Sequence, residues 1–216
     1  MRSIDPSLWM GLCATAVIIL LVCEFRGFRP GIAVAKLSAS TAFVGLALTL
    51  GALDSLIGQI VLVGLVLCWL GDALLIPAGQ SRWFQLGIGS FLLGHVAYAI
   101  AFLTWAIRDV ALALGGLGMI VLGRLAMRWL SPHVPADFQK PVLAYIIVIG
   151  VMTACAISAS AGSAPLSVAI GALAFAASDL SVARERFVAP GFVNAAWGLP
   201  AYFAAQMILA SSIGIL

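Results

Sequence analysis

Charge is what this chain has least of. Acidic and basic residues together make up 9% of its 216 residues, where a soluble domain carries about 25%. That shortage excludes an ordinary water-soluble globule. The net charge of +3 is distributed by loop, so it speaks about orientation in a bilayer and no nucleic-acid partner is expected. Histidine is rarer still, with only His95 and His133. Zinc wants three or four His, Cys, Asp or Glu ligands, so neither a metal site nor any other cofactor is expected. The four cysteines, Cys13, Cys23, Cys68 and Cys155, form no CxxC pair and lie in or at the ends of apolar runs. They read as buried free thiols acting as small hydrophobes. No GxSxG elbow is present, and the short alternating segments of a β-barrel are missing.

What is there instead is apolar sequence, 63% of the chain, in runs of about twenty residues that recur from end to end. The fold class read from this is all-α, a polytopic membrane protein with a bundle of eight transmembrane helices. Their expected spans are 7–23, 33–50, 54–76, 83–106, 109–130, 140–160, 165–184 and 190–213. Breaks fall at Arg29-Pro30-Gly31, Pro77-Ala78-Gly79, Ser131-Pro132, Pro165 and Pro190-Gly191, where turn chemistry places them. No intervening stretch is long enough for a soluble domain, so residues 1–216 form one transmembrane domain. Arg2 followed by the apolar run Leu8 to Val22 imitates a signal peptide. Many more spans follow and no A-x-A site closes the run tightly, so it reads as the first span.

Nine of the eleven basic residues flank the odd-numbered connections, and only Arg2 and Arg108 fall on the other side. The positive-inside rule then puts the odd connections in the cytoplasm and both termini outside. A bacterial inner membrane suits this pattern. A shift of 107 residues superimposes Asp72 on Asp179 and aligns GLVLCWLGDALL with GALAFAASDLSV. Half of the chain is 108 residues, so 1–108 and 109–216 read as an internal repeat of two parallel four-helix halves. Chance alignment of apolar runs is the competing explanation.

A few polar groups stand where a membrane should reject them. A charged side chain at mid-depth costs at least about 2.5–3.5 kcal/mol. Asp72 and Asp179 occupy matching depths near the cytoplasmic ends of the third and seventh helices. His95 and Tyr202 lie near the middles of the fourth and eighth, with Tyr98 and Gln206 about one turn beyond them. Lys36 enters the second helix and Tyr145 lies just inside the sixth. All point to the cytoplasmic half, and one polar cavity opening there is the economical reading. Each residue also has a plainer use. The aspartates could be interfacial or pair with Lys36 or Arg82, and His95 could be a hydrogen-bonded core residue. The tyrosines could be packing or interfacial aromatics, and Gln206 an interhelical bond. His133, in a loop beside two prolines, reads as solvated. Two carboxylates in one cavity suit acid–base hydrolysis better than a nucleophilic triad, for which no base is assigned to any serine.

The segments WLGDALL, FLLGHVAYAIAF, GALAFAASDLSVARERF and AYFAAQMIL, in that order, resemble the signature segments of the YhhN-like lysoplasmalogenase family. The resemblance covers about residues 10–212. Lys36 and Tyr145 also fall where that family places a lysine and a tyrosine, although Lys36 is followed here by Leu37 rather than proline. The resemblance implies an eight-helix integral membrane enzyme that cleaves the vinyl-ether bond of lysoplasmalogens. The products would be a fatty aldehyde and glycerophosphoethanolamine or glycerophosphocholine. Asp72 and Asp179 would divide the acid and the base or stabilising roles, with His95 orienting a carboxylate or water or donating a proton itself. Lys36 and loop arginines would hold the headgroup phosphate, and Tyr98, Tyr145, Tyr202 and Gln206 would line the substrate or bind water. The expected partner is a lysophospholipid in the bilayer, and the sequence sets no oligomeric state. Another lysolipid-modifying hydrolase on this scaffold, or a small transporter or lipid sensor, are the competing functions.

Overall fold

A computed structural model describes residues 5–77 and 82–215. Arg2, Ala78 and Gly79, used above for the first span and the second break, lie outside the described residues. The helices are α1 (Pro6–Arg26), α2 (Arg29–Thr49), α3 (Leu56–Leu74), α4 (Arg82–Leu103), α5 (Asp109–Leu130), α6 (Ala136–Gly162), α7 (Leu166–Ala183) and α8 (Phe192–Ser211). A π-helical turn, Arg184–Val188, prolongs α7. Among the described residues there are no strands, and eight helices are long and apolar enough to cross a membrane.

The helix ends follow from local chemistry. Asp5 caps α1, its carboxylate accepting the Ser7 N–H at 2.9 Å, with Pro6 in the first turn where no N–H is missed. Gly27 ends that helix with φ of 65°, a left-handed turn that a side chain would strain. The chain then reverses so tightly that Arg29-Pro30-Gly31, expected as a break, is already the first turn of α2. Proline there costs nothing, since first-turn N–H groups have no intrahelical acceptor. The sixth helix likewise begins at Ala136, four residues before its expected start, and carries Pro141 inside it.

Helices α2, α3, α4, α6, α7 and α8 pack in a closed ring, each on its neighbours. α1 lies outside the ring against α2 and α8, whereas α5 makes its substantial contacts with α6 and the π turn. Only Leu130 of α5 is buried. The ring interior holds Phe43, Leu65, Tyr98, Phe102, Phe175 and Phe203, while residues such as Ile18, Ile100, Leu117 and Ile170 point outward, the pattern lipid requires. The glycines of α3 and α4 permit close helix contact. A Cβ on Gly64 would stand 2.6 Å from Cε1 of Tyr98, and one on Gly71 would stand 2.6 Å from Cε2 of Phe91. The Tyr98 ring therefore sits where only a residue without a side chain can face it.

Candidate active site

A cavity of about 610 Å³ opens at the end of the bundle that carries the α1–α2, α5–α6 and α7–α8 connections. Its volume falls in the ordinary range for a small-molecule site, about 300–1,000 Å³. Lys36 from the second turn of α2, Asp72 from the last turn of α3, and Asp179 near the end of α7 all line it. Tyr145, Ser178, Ser181 and Tyr202 add to its polar part, joined by Arg186 of the π turn. Most of the remaining lining is apolar. Met119, Leu122 and Ala126 of α5 form one wall, and Leu173, Ala176 and Leu180 of α7 another. This groove exists because α5 lies outside the ring.

The two aspartates are held in parallel ways. Asp72 is buried, at 3% exposure, and its Oδ2 accepts from the Ser40 hydroxyl at 2.6 Å and from the Tyr202 hydroxyl at 2.7 Å. The side chain of Asp179 is 18% exposed, and its Oδ2 lies 3.5 Å from Nε2 of His95. Asp179 also accepts from the Tyr145 hydroxyl at 3.1 Å. Each aspartate thus meets a hydroxyl from the preceding even-numbered helix, α2 or α6. Each also meets a residue from one further helix, Tyr202 on α8 for Asp72 and His95 on α4 for Asp179. Tyr202 and His95 are themselves 107 positions apart, as the aspartates are.

His95 is 1% exposed. Its Nδ1 lies 2.6 Å from the Phe91 carbonyl oxygen, and because a carbonyl only accepts, Nδ1 carries the proton. Nε2 is buried with no hydrogen-bond partner and faces Asp179. A buried polar atom in that condition costs about 1–3 kcal/mol, so its place beside a carboxylate is informative. Phe175 packs on the imidazole at 4.4 Å between centroids and Tyr145 meets it edge-on at 5.3 Å.

Other expected residues lie elsewhere. Tyr98 and Gln206 are fully buried behind Tyr202, bonded to each other at 2.8 Å, and neither lines the cavity. His133 is exposed in the α5–α6 connection. Cys13, Cys68 and Cys155 are buried free thiols. Among the described residues, no three His, Cys, Asp or Glu side chains are grouped as a metal ion would need. Two residues of the site were not singled out from the sequence. Ser40 stands one turn after Lys36, a spacing that places both on one helix face. Arg186 was expected only as one of several loop arginines near a headgroup, and it lines the cavity with its guanidinium 4.3 Å above the Phe84 ring.

Fold and site together define a polytopic helical membrane protein with a two-carboxylate cavity at one end of its bundle. The chain belongs to the YhhN family, whose profile matches residues 31–213. It is 35% identical over 158 residues to the lysoplasmalogenase TMEM86A of Bos taurus and equally to that of Homo sapiens, covering 70% of this chain and 64% of theirs. It is 31% identical over 153 residues to a lysoplasmalogenase of Mycobacterium tuberculosis (strain CDC 1551 / Oshkosh), covering 67% of this chain and 56% of that one. The chain therefore matches less than two thirds of the length of these relatives. No solved structure matches it.

Proposed function

We propose that the protein hydrolyses the vinyl-ether bond of lysoplasmalogens, releasing a fatty aldehyde and a glycerophospho-headgroup alcohol such as glycerophosphoethanolamine or glycerophosphocholine. The observation that carries this reading is the pair of carboxylates, Asp72 and Asp179, lining one largely apolar cavity. The names of the relatives supply the substrate class.

A vinyl ether is cleaved by delivering a proton to its β-carbon, which leaves an oxocarbenium ion at the carbon bearing oxygen. Water adds to that carbon and loses one proton. The resulting hemiacetal collapses, its hydroxyl proton passing to the departing glycerol oxygen, so one water is consumed for each aldehyde formed. The chemistry asks for a proton donor, a group that stabilises the cation, and an acceptor for the water proton. Asp72 and Asp179 divide these roles. His95 serves Asp179, because its bare Nε2 can exchange a proton with the carboxyl 3.5 Å away. The apolar walls exclude bulk water, which strengthens the attraction between a carboxylate and the developing cation.

The substrate is placed by the same division of polar and apolar surface. Lys36 and Arg186 take the phosphate, a contact for which charge suffices. The hydrocarbon chain runs between the walls of α5 and α7 toward the bilayer. The basic residues of the odd-numbered connections support a mouth on the cytoplasmic side, with both termini outside. The parallel handling of the two aspartates supports descent of residues 1–108 and 109–216 from a duplicated four-helix unit.

Purified protein incubated with defined 1-alkenyl, 1-alkyl and 1-acyl lysolipids, followed by mass spectrometry of products, tests the proposal. Aldehyde from the alkenyl lipid alone is the expected result. Asp72→Asn and Asp179→Asn should remain inserted and folded but release at least ~100-fold less aldehyde, the lower end of a lost acid or base. Preferred hydrolysis of the ester, or wild-type turnover by both variants, would sink it.

A further inference from the structure

Asp72 is held by one oxygen only. Both of its hydrogen bonds, from Ser40 and Tyr202, arrive at Oδ2, while Oδ1 takes part in neither and the residue lines the cavity. Tyr202 in turn ends a chain. Tyr98 donates to Oε1 of Gln206 at 2.8 Å, and the Gln206 amide N–H donates to the Tyr202 oxygen at 3.3 Å. The direction is set by what each group can do. An amide oxygen only accepts and an amide nitrogen only donates, so the single proton of Tyr202 is left for Asp72. A reversed amide would claim that proton and take it from the carboxyl.

Tyr98 and Gln206 are fully buried and do not line the cavity, so substrate does not touch them. Filling space does not explain them either. Phenylalanine and leucine would pack the same room without the cost of burying polar groups in a membrane interior. The ring of Tyr98 is also fixed closely, since Gly64 leaves it just enough space.

We propose that Tyr98 and Gln206 are positioning residues that hold Tyr202 as a donor, so that Tyr202 and Ser40 pin Oδ2 of Asp72 and present Oδ1 to the substrate. The role assigned to Oδ1 rests on the vinyl-ether reading, while the chain of donors stands on its own geometry. Hydrogen bonds that all point one way polarise one another, so loss of the first donor is felt at the last acceptor.

The test combines kinetics with infrared spectroscopy. Tyr98→Phe and Gln206→Leu are each expected to lower kcat about tenfold, or ~1.4 kcal/mol, with KM unchanged. In a Tyr202→Phe background the same changes should lower kcat no further, because their effect passes through that hydroxyl. Losses that multiply in that background, or a Tyr98→Phe enzyme with wild-type kcat, would overturn the proposal. The Asp72 carboxyl band, identified by its loss in Asp72→Asn, should shift in Tyr98→Phe. An unmoved band overturns the positioning chain whatever the protein hydrolyses. A shifted band in a protein that cleaves no alkenyl lipid would support the chain and overturn the reaction. Tyr98→Phe removes one oxygen, so it keeps the test usable where Gln206→Leu fails to fold.

Discussion

Lys36 and Arg186 reach the cavity from opposite parts of the chain, one in the second turn of α2 and the other in the π turn after α7. Phosphate recognition by two cations predicts a specific kinetic split. Lys36→Gln and Arg186→Gln should each raise KM for a phosphate-bearing alkenyl lysolipid about tenfold, the value of one charged hydrogen bond, and leave kcat near wild type. Against an alkenyl glycerol without phosphate, the same variants should match wild type. An unchanged KM with the phospholipid would place the headgroup elsewhere. At this scale the sequence showed which residues were out of place in lipid, because charge in a membrane is conspicuous. It did not show Ser40, since a serine in an apolar helix costs little and carries no such signal. Nor did it separate Tyr202, on the cavity wall, from Tyr98 and Gln206 behind it. That distinction depends on the rotation of α4 and α8.

Helix α5 sets the shape of the cavity by standing apart. Its inner face, including Met119, Leu122, Ala126 and Trp129, lines the groove, while its substantial packing is with α6 and the π turn. A bulky side chain on that face should therefore act on chain length. Ala126→Trp is expected to cut turnover of a long-chain alkenyl lysolipid by about tenfold or more, consistent with about 0.8 kcal/mol for each displaced CH₂. A short-chain analogue should be hydrolysed at close to the wild-type rate. Equal losses on both chains would mean that the tail lies outside this groove. Helix existence was readable here from apolar length alone. The starts of α2 and α6 were not: Pro30 read as a break though it occupies the first turn of α2, and the first turns of α6 carry the polar Asp137, Gln139 and Lys140, which give no apolar signal.

Across the whole molecule, the packing repeats itself. The pairs α1·α2, α2·α3 and α3·α4 are matched by α5·α6, α6·α7 and α7·α8, and the joint α4·α6 is matched by α8·α2. The match breaks at the outer helices, where α1 packs on both α2 and α8 while α5 packs on α6 without comparable packing on α4. That break leaves one side of the molecule open to lipid. Orientation belongs to this scale as well. In a background with the native cysteines replaced, Ser131→Cys in the α5–α6 connection and Asp54→Cys in the α2–α3 connection are both exposed. In whole cells a membrane-impermeant thiol reagent should label Asp54→Cys and spare Ser131→Cys. The opposite pattern would place the cavity mouth outside.

The sequence by itself determined that this protein is eight apolar helices in a membrane, because a bilayer demands runs of about twenty residues with satisfied backbones. It also marked Asp72, His95 and Asp179 as misplaced charge or polarity and put the aspartates at matching depths. Tertiary structure alone decided what each of them meets. Depth along a helix follows from residue number, but the facing of a side chain follows from helix rotation, which is set by how small residues let neighbours approach. That packing put Gly64 beneath Tyr98, joined Tyr98 to Gln206, and turned WLGDALL from one charge in an apolar run into a carboxyl held by partners on α2 and α8.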